Sequence, residues 1–130
     1  MKPTLFIIRG LPGSSKSTYA RQLLAEGKIQ AHFEADMYFE HVTTGQYIFD
    51  PTKLGSAHRW CYEMTTQALE EGKSVAVANT FTTHKEMKDY VNFAKDSGYD
   101  LQIIVRTGNY GSIHGVPEEA MEKMRNRWQD

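Results

Sequence analysis

The chain has 130 residues, a formal net charge of −1 and a pI near 6.5. A chain of this length is one domain by size, so we expect a single unit over residues 1–130. The balanced charge argues against a broad electrostatic surface for duplex DNA or acidic membranes, and it leaves room only for a small basic groove.

The single cysteine, Cys61, excludes an internal disulfide and any cysteine-only metal site. Its helical surroundings near Trp60 favour a buried structural thiol over a nucleophile. No apolar stretch approaches the ~20 residues of a membrane span. The Met-Lys-Pro-Thr start also leaves no room for a signal peptide before the first strand. These features predict a cytoplasmic protein without membrane association.

The first predicted elements are a buried strand over 4–9 and a helix that begins near Lys16 and ends at Glu26. A glycine-rich loop joins them, which is the setting of a phosphate-binding loop with consensus GxxxxGK[ST]. One residue departs from that consensus, because Ser15 replaces the glycine before the lysine. The residues expected to bind a nucleotide are Gly10, Leu11, Pro12, Gly13, Ser14, Ser15, Lys16, Ser17 and Thr18.

The chemistry of this motif follows from its residue types. Glycines let the backbone curl so that successive N–H groups point at phosphates, and the start of the helix adds partial positive charge. In the motif the lysine reaches the β- and γ-phosphates and the following hydroxyl ligates Mg²⁺. Lys16 and Ser17 hold those two positions, so the loop predicts binding of ATP or GTP with Mg²⁺.

The remaining elements continue to alternate between strand and helix patterns. Strands are predicted over 30–34, 74–78 and 101–106, and helices from Pro51 to Glu71, from Thr83 to Ser97 and from Pro117 onward. Thr83 and Glu86 form a capping box, and Asp50 can cap the helix opened by Pro51. The alternation predicts an α/β protein: a three-layer P-loop NTPase fold of about four parallel strands covered by helices on both faces.

In such a sheet the carboxyl ends of all strands lie at one edge, where ligands bind. Asp36 follows the second strand and is either a general base for an attacking hydroxyl or the cap of a short helix at Met37. Asn79 and Thr80 end the third strand, and Asn79 either orients a water or substrate oxygen or caps the turn.

Kinases with this loop usually close arginines over the phosphates. After the fourth strand the chain has Arg106 and then no arginine before Arg125 and Arg127. Arginines on a terminal helix such as these two most often lie on a solvent-exposed face. Arg106 is therefore the candidate for charge neutralisation, and His114 overhangs the expected nucleotide.

Two further groups of side chains have alternative interpretations. His58 is either a packing residue or a catalyst, with packing the commoner role of a lone helical histidine. The aromatic residues Tyr38, Phe39, Tyr47 and Phe49 either stack on a substrate base or close the core.

Nearly the whole chain resembles the polynucleotide 5′-hydroxyl kinase branch of small P-loop kinases. That branch includes the phage end-healing kinase and the kinase-like domain of a eukaryotic ubiquitin-ligase-binding protein. The matching segments are 9–14, 16–18, Asp36, 45–51, 57–60, Asn79-Thr80, 86–87 and 113–117. His58 with Trp60 and the Ile-His-Gly-Val turn are similar to the eukaryotic subgroup.

The resemblance implies ATP-dependent phosphorylation of a hydroxyl, with a nucleic-acid 5′ end as the leading acceptor. It implies that Asp36 is the general base and that Lys16 and Ser17 bind the nucleotide and its Mg²⁺. It also implies that Asn79 and Thr80 lie near the substrate. The departures are Ser15, Met37, Phe39, Phe81 and the missing lid arginines. They leave open an alternative: a pseudokinase that binds nucleotide and acts through a protein partner without turnover.

Overall fold

The computed structural model describes residues 2–41, 50–107 and 116–130, with His41 in its backbone alone. Four strands form one parallel sheet in the order β2-β3-β1-β4. They are β1 Thr4–Arg9, β2 Ala31–Phe33, β3 Val75–Asn79 and β4 Asp100–Val105. The predicted α/β fold with four parallel strands is confirmed.

Helices follow the strands in the predicted order. They are α1 Lys16–Ala25, α2 Met37–His41, α3 Leu54–Glu70, α4 His84–Ser97 and α5 Glu118–Arg127. Asp50 caps a 3₁₀ turn rather than the long helix itself, since its side chain accepts from the backbone N–H of Thr52 and α3 begins only at Leu54. The predicted capping box of α4 is present, with Thr83 and Glu86 each bonding the other's backbone.

The two faces of the sheet bury alternate residues of β1. Leu5 and Ile7 pack with α3 and α4 in the larger core cluster. Phe6 and Ile8 face the other way, against α1. Because a central parallel strand is covered on both sides, its sequence is a continuous apolar run. Burial of each such side chain contributes about 1.5–3 kcal/mol, so β1 is the main anchor of the loop that follows it.

The segment after β2 forms the short helix α2 over Met37–His41. Phe39 is only 2% exposed in the core, and Tyr38 packs against Trp60 with ring centroids 6.2 Å apart. These contacts favour the core interpretation of both aromatics, whereas Tyr47 and Phe49 lie outside the described residues.

Across the described ranges, none of the helices combines the length and the apolar character needed to cross a membrane.

Candidate nucleotide-binding site

The glycine-rich loop leaves β1 at Arg9 and enters α1 at Lys16. Two of its residues have left-handed backbone conformations, Gly13 with φ 83° and Ser15 with φ 66°. Between them the Ser14 N–H donates to the Leu11 carbonyl at 3.1 Å, which closes the turn. The position at which the consensus has glycine therefore uses a glycine-like conformation, and Ser15 adopts it at a cost of about 1–2 kcal/mol.

Gly10 is required by close packing at the start of the loop. A Cβ there would lie 2.6 Å from the carbonyl oxygen of Arg106, which is backbone and cannot move aside. The Gly10 N–H donates to the Thr80 carbonyl at 3.3 Å. The loop is thus held against the ends of both β3 and β4.

Lys16 lies at the first turn of α1 with its ammonium directed back over the loop. Its Nζ donates to the Leu11 carbonyl at 3.1 Å. Burial lowers the pKa of Lys16 from its ordinary value, and the negative charges of Glu34 and Asp36 partly offset that effect. Lys16, Glu34 and Asp36 therefore interact electrostatically at one end of the sheet.

Ser17 is in contact with a carboxylate that the sequence analysis did not single out. Its Oγ donates to Glu34 Oε2 at 2.5 Å, and His32 Nε2 donates to the same oxygen at 2.7 Å. Burial by itself would raise the pKa of Glu34, but the hydrogen bonds from His32 and Ser17 lower it below its usual range. Glu34 is thus ionised at neutral pH.

Asp36 is exposed at the end of β2, directly before α2. Its charge acts on Lys16, so the structure brings together three of the predicted residues, namely Lys16, Ser17 and Asp36. An exposed carboxylate beside the loop has the access to a bound substrate that a general base requires.

Asn79 lies at the end of β3 with its side-chain amide engaged by neighbouring groups, and its contact with a substrate stays a prediction. It is only 9% exposed, and its Oδ1 accepts from the Ala35 N–H at 2.9 Å. Its Nδ2 lies 3.7 Å from the buried Sγ of Cys61. Through its bond to Ala35, Asn79 thus connects the segment that follows β2 to the end of β3. Thr80 meets the loop through its backbone, as the acceptor from Gly10.

Arg106 reaches the loop from the end of β4. Its Nη2 donates to Ser15 Oγ at 3.3 Å, and its guanidinium lies 4.7 Å from the ring centroid of Tyr19. The helix arginines point elsewhere: Arg127 Nε donates to Thr82 Oγ1 at 3.0 Å, and Arg125 pairs with Glu118. His114 lies outside the described residues.

The hydrogen-bond donors of the loop suit an anion, and its hydroxyl groups suit a cation that binds oxygen. Two buried atoms beside it, Ser14 Oγ and Arg106 Nε, have no hydrogen-bond partner among the described residues. No side chain in the described ranges caps the N-terminus of α1, and its first turn holds no acidic residue. Within the same ranges, no group of three or more His, Cys, Asp or Glu side chains is placed to hold a metal ion. The hydroxyl of Ser17 is the loop group that would bind a Mg²⁺ carried by phosphate oxygens, with water oxygens as further ligands.

A cavity of about 620 Å³ opens between α3 and α4 and extends to Asn79 and Thr80. Its lining includes His58, Arg59, Tyr62 and Lys85 together with acidic residues Glu86 and Asp89. Thr80, which lines this cavity, also accepts from the Gly10 N–H of the loop through its backbone carbonyl. His58 is an exposed part of this lining rather than a packed core residue.

Sequence reasoning missed Glu34 and His32, and it missed the contact between Ser15 and Arg106. A signal for Glu34 was present: it lies two residues before Asp36, directly after a short strand at the edge where ligands bind. The predicted strand over 30–34 includes Glu34 as its last residue. Because Ser15 and Arg106 are 91 residues apart, only the tertiary structure brings them together.

A model of the AAA-domain family matches residues 5–109, most of the chain. The chain belongs to this family. It is 32% identical over 96% of its length to NEDD4-binding protein 2 of Homo sapiens, of which it spans only 8%. The predicted resemblance to a eukaryotic ubiquitin-ligase-binding protein is confirmed by this relationship.

Two solved structures share the fold at lower identity. The Pnkp1/Rnl/Hen1 RNA repair complex contains a chain with a TM-score of 0.70 and 20% identity, covering 96% of this chain and 43% of that one. The APS kinase CysC of Mycobacterium tuberculosis, in complex with AMPPNP and APS, has a TM-score of 0.58 and 20% identity, covering 80% of this chain and 62% of that one. This AAA domain therefore has a P-loop kinase-like fold, and one neighbour with that fold binds a nucleotide.

Proposed function

We propose that this AAA domain is an ATP-dependent kinase that transfers the γ-phosphate to a hydroxyl group, with a nucleic-acid 5′-hydroxyl as the acceptor. The observation that carries the proposal is the grouping of Lys16, Ser17 and Asp36 at the carboxyl ends of β1 and β2. A phosphate ligand, a metal ligand and an accessible carboxylate are the parts that phosphoryl transfer requires.

In the proposed nucleotide complex, Lys16 exchanges the Leu11 carbonyl for the β- and γ-phosphates. The backbone N–H groups of the loop and the uncapped start of α1 surround the phosphates. Ser17 would hold the nucleotide's Mg²⁺ in part, and that ion would supply neutralisation of the charge that develops during transfer.

The transfer step needs only one proton acceptor. Asp36 accepts the proton of the acceptor hydroxyl as its oxygen forms a bond to the γ-phosphorus. The bond between that phosphorus and the bridging oxygen of ADP breaks, and ADP leaves with the bonding electron pair. The products are a phosphate monoester, ADP and a protonated Asp36.

The cavity between α3 and α4 supports a nucleotide-like acceptor. Arg59 and Lys85 provide cations for backbone phosphates, and Tyr62 provides an aromatic face on which a base can stack. Its connection to the loop through Thr80 supports delivery of an acceptor to the γ-phosphate.

The proposal is tested by transfer from γ-labelled ATP with Mg²⁺ to RNA and DNA oligonucleotides that carry a 5′-hydroxyl. We expect label on an oligonucleotide with the wild-type protein. Lys16→Ala should lose both transfer and nucleotide binding, whereas Asp36→Asn should lose transfer alone. Transfer that persists in both variants would contradict the assignment of this site.

The second candidate is a pseudokinase that binds nucleotide without turnover and acts through a protein partner. It is favoured by the pairing of Arg106 with Ser15 and Tyr19, which already engages the guanidinium of the candidate arginine within the protein. This candidate predicts stabilisation by Mg-ATP of about 2.7 kcal/mol at a hundredfold excess over Kd, with no transfer to any oligonucleotide.

A further inference from the structure

Mg²⁺ that binds together with a nucleotide commonly takes one or two protein carboxylates besides the substrate phosphates, and the hydroxyl of Ser17 is neutral. In the described part of the chain, the carboxylate in contact with Ser17 is that of Glu34, at 2.5 Å from the hydroxyl oxygen. Oxygens that neighbour each other around Mg²⁺ are about 3 Å apart. Ser17 Oγ and Glu34 Oε2 therefore need to move apart only slightly for both to contact one ion or the waters around it.

The end of β3 does not provide such a carboxylate. The residue there is Asn79, and both ends of its amide are engaged, with the Ala35 N–H and with Cys61. It is also buried, at 9% exposure. Acidic charge at this edge of the sheet comes instead from the end of β2, where both Glu34 and Asp36 act on Lys16.

Glu34 is held in place like a metal-site carboxylate. His32 donates to the same oxygen that contacts Ser17, and the two side chains are only 8% and 16% exposed. Groups that orient a ligand in this way commonly change metal affinity by about 10–100-fold when removed. A carboxylate that is largely withdrawn from solvent carries a cost in desolvation, and a cation offsets that cost.

We propose that Glu34 is the carboxylate that, together with Ser17, holds the Mg²⁺ of the bound nucleotide, and that His32 positions it. This assignment rests on the proposed binding of Mg-ATP but not on the identity of the acceptor. It places the acidic contribution to the cation at the end of β2, whereas Asn79 at the end of β3 is engaged with Ala35 and Cys61.

The test measures nucleotide affinity rather than activity. The Kd of a fluorescent N-methylanthraniloyl-ATP is measured in MgCl₂ and in EDTA, and the ratio of the two values defines the magnesium gain. We expect Glu34→Gln to reduce the magnesium gain by about tenfold or more while its affinity in EDTA stays equal or improves. Glu34→Asp keeps the charge and should keep part of the gain, and His32→Phe should lose less of it than Glu34→Gln.

Two control variants separate a specific ligand from a general effect of charge. Glu26→Gln and Glu71→Gln each remove an exposed carboxylate, paired with Lys28 at 3.6 Å and with Lys73 at 3.3 Å. Both should retain the wild-type magnesium gain. Thermal melts of each variant show whether the fold is intact, and Glu34→Asp remains informative where Glu34→Gln fails to fold.

The possible results separate this assignment from the proposed kinase activity. An unchanged magnesium gain in Glu34→Gln, or no gain in the wild type, overturns the role of Glu34. A gain that Glu34→Gln loses, without transfer to any oligonucleotide, supports the role of Glu34 and overturns the proposed acceptor.

Discussion

Arg106 and Ser15 form a hydrogen bond of 3.3 Å that joins the end of β4 to the phosphate-binding loop. The bond exists because the loop has a serine where its consensus has glycine, and the serine hydroxyl gives the arginine an acceptor. The loop also holds Ser15 in a left-handed conformation with φ 66°, which a glycine would adopt without strain. Ser15 therefore has both a strained backbone and a side-chain hydrogen bond that glycine cannot make.

Two variants of Ser15 separate these effects. Ser15→Gly should relieve the strain and lose the hydrogen bond, so we expect a net gain of up to about 1 kcal/mol in the free energy of unfolding. Ser15→Ala keeps the strain and loses the bond, so it should be less stable than wild type. Urea denaturation of the three proteins measures this difference. Equal stability of the Gly and Ala variants would show that the backbone is not strained at this position.

Gly10 and Gly55 make a matched pair for alanine substitution. A Cβ at Gly10 would meet the Arg106 carbonyl at 2.6 Å, whereas at Gly55 in α3 nothing lies within 4 Å. We expect Gly10→Ala to lower stability and to weaken nucleotide binding, because the loop must shift. Gly55→Ala should raise stability by up to about 1 kcal/mol through helix propensity. Melting temperatures with and without Mg-ATP test both expectations, and a harmless Gly10→Ala would contradict the packing described above.

Arg9 anchors the last residues of the chain to the end of β1. Its Nε donates to the Phe81 carbonyl at 3.0 Å, its Nη2 bonds the Gln129 carbonyl, and its guanidinium lies 4.2 Å from the Trp128 ring. Lysine cannot reproduce the planar fork, so Arg9→Lys should lower the free energy of unfolding by about 1–3 kcal/mol.

The control for this change is Arg21→Lys, at an exposed position of α1. It should alter stability by less than about 0.5 kcal/mol. If both lysine variants unfold at the same urea concentration, the contacts of Arg9 contribute nothing measurable.

Cys61 should be unreactive in the folded protein. Burial raises the pKa of its thiol, despite hydrogen bonds from neighbouring side chains, so the reactive thiolate is scarce at pH 8. We expect negligible reaction with a chromogenic disulfide reagent in the native state and one equivalent in 6 M guanidinium, since this is the single cysteine. Rapid native reaction that Mg-ATP does not slow would indicate that the helix opens locally around Cys61.

Local patterns in the sequence were sufficient for the strands, the capping box at Thr83 and the position of the loop. Each of these depends on residues close together in the chain: the apolar run of β1, the Thr83–Glu86 spacing, and the glycines next to Lys16. The parallel sheet followed from their alternation, and it implied that Asp36 would lie near the loop.

The tertiary structure decided which polar side chains meet at that edge. Glu34 and Asp36 both follow β2, and the sequence contains nothing to indicate that Glu34 is the one bonded to Ser17, 17 residues away. Nor does it indicate that Asn79 is engaged with Ala35, or that Arg106 lies on Ser15. The reason is physical: helix, strand and turn preferences act between near neighbours, whereas hydrogen bonds at the site depend on how distant segments pack and on which partners burial leaves available.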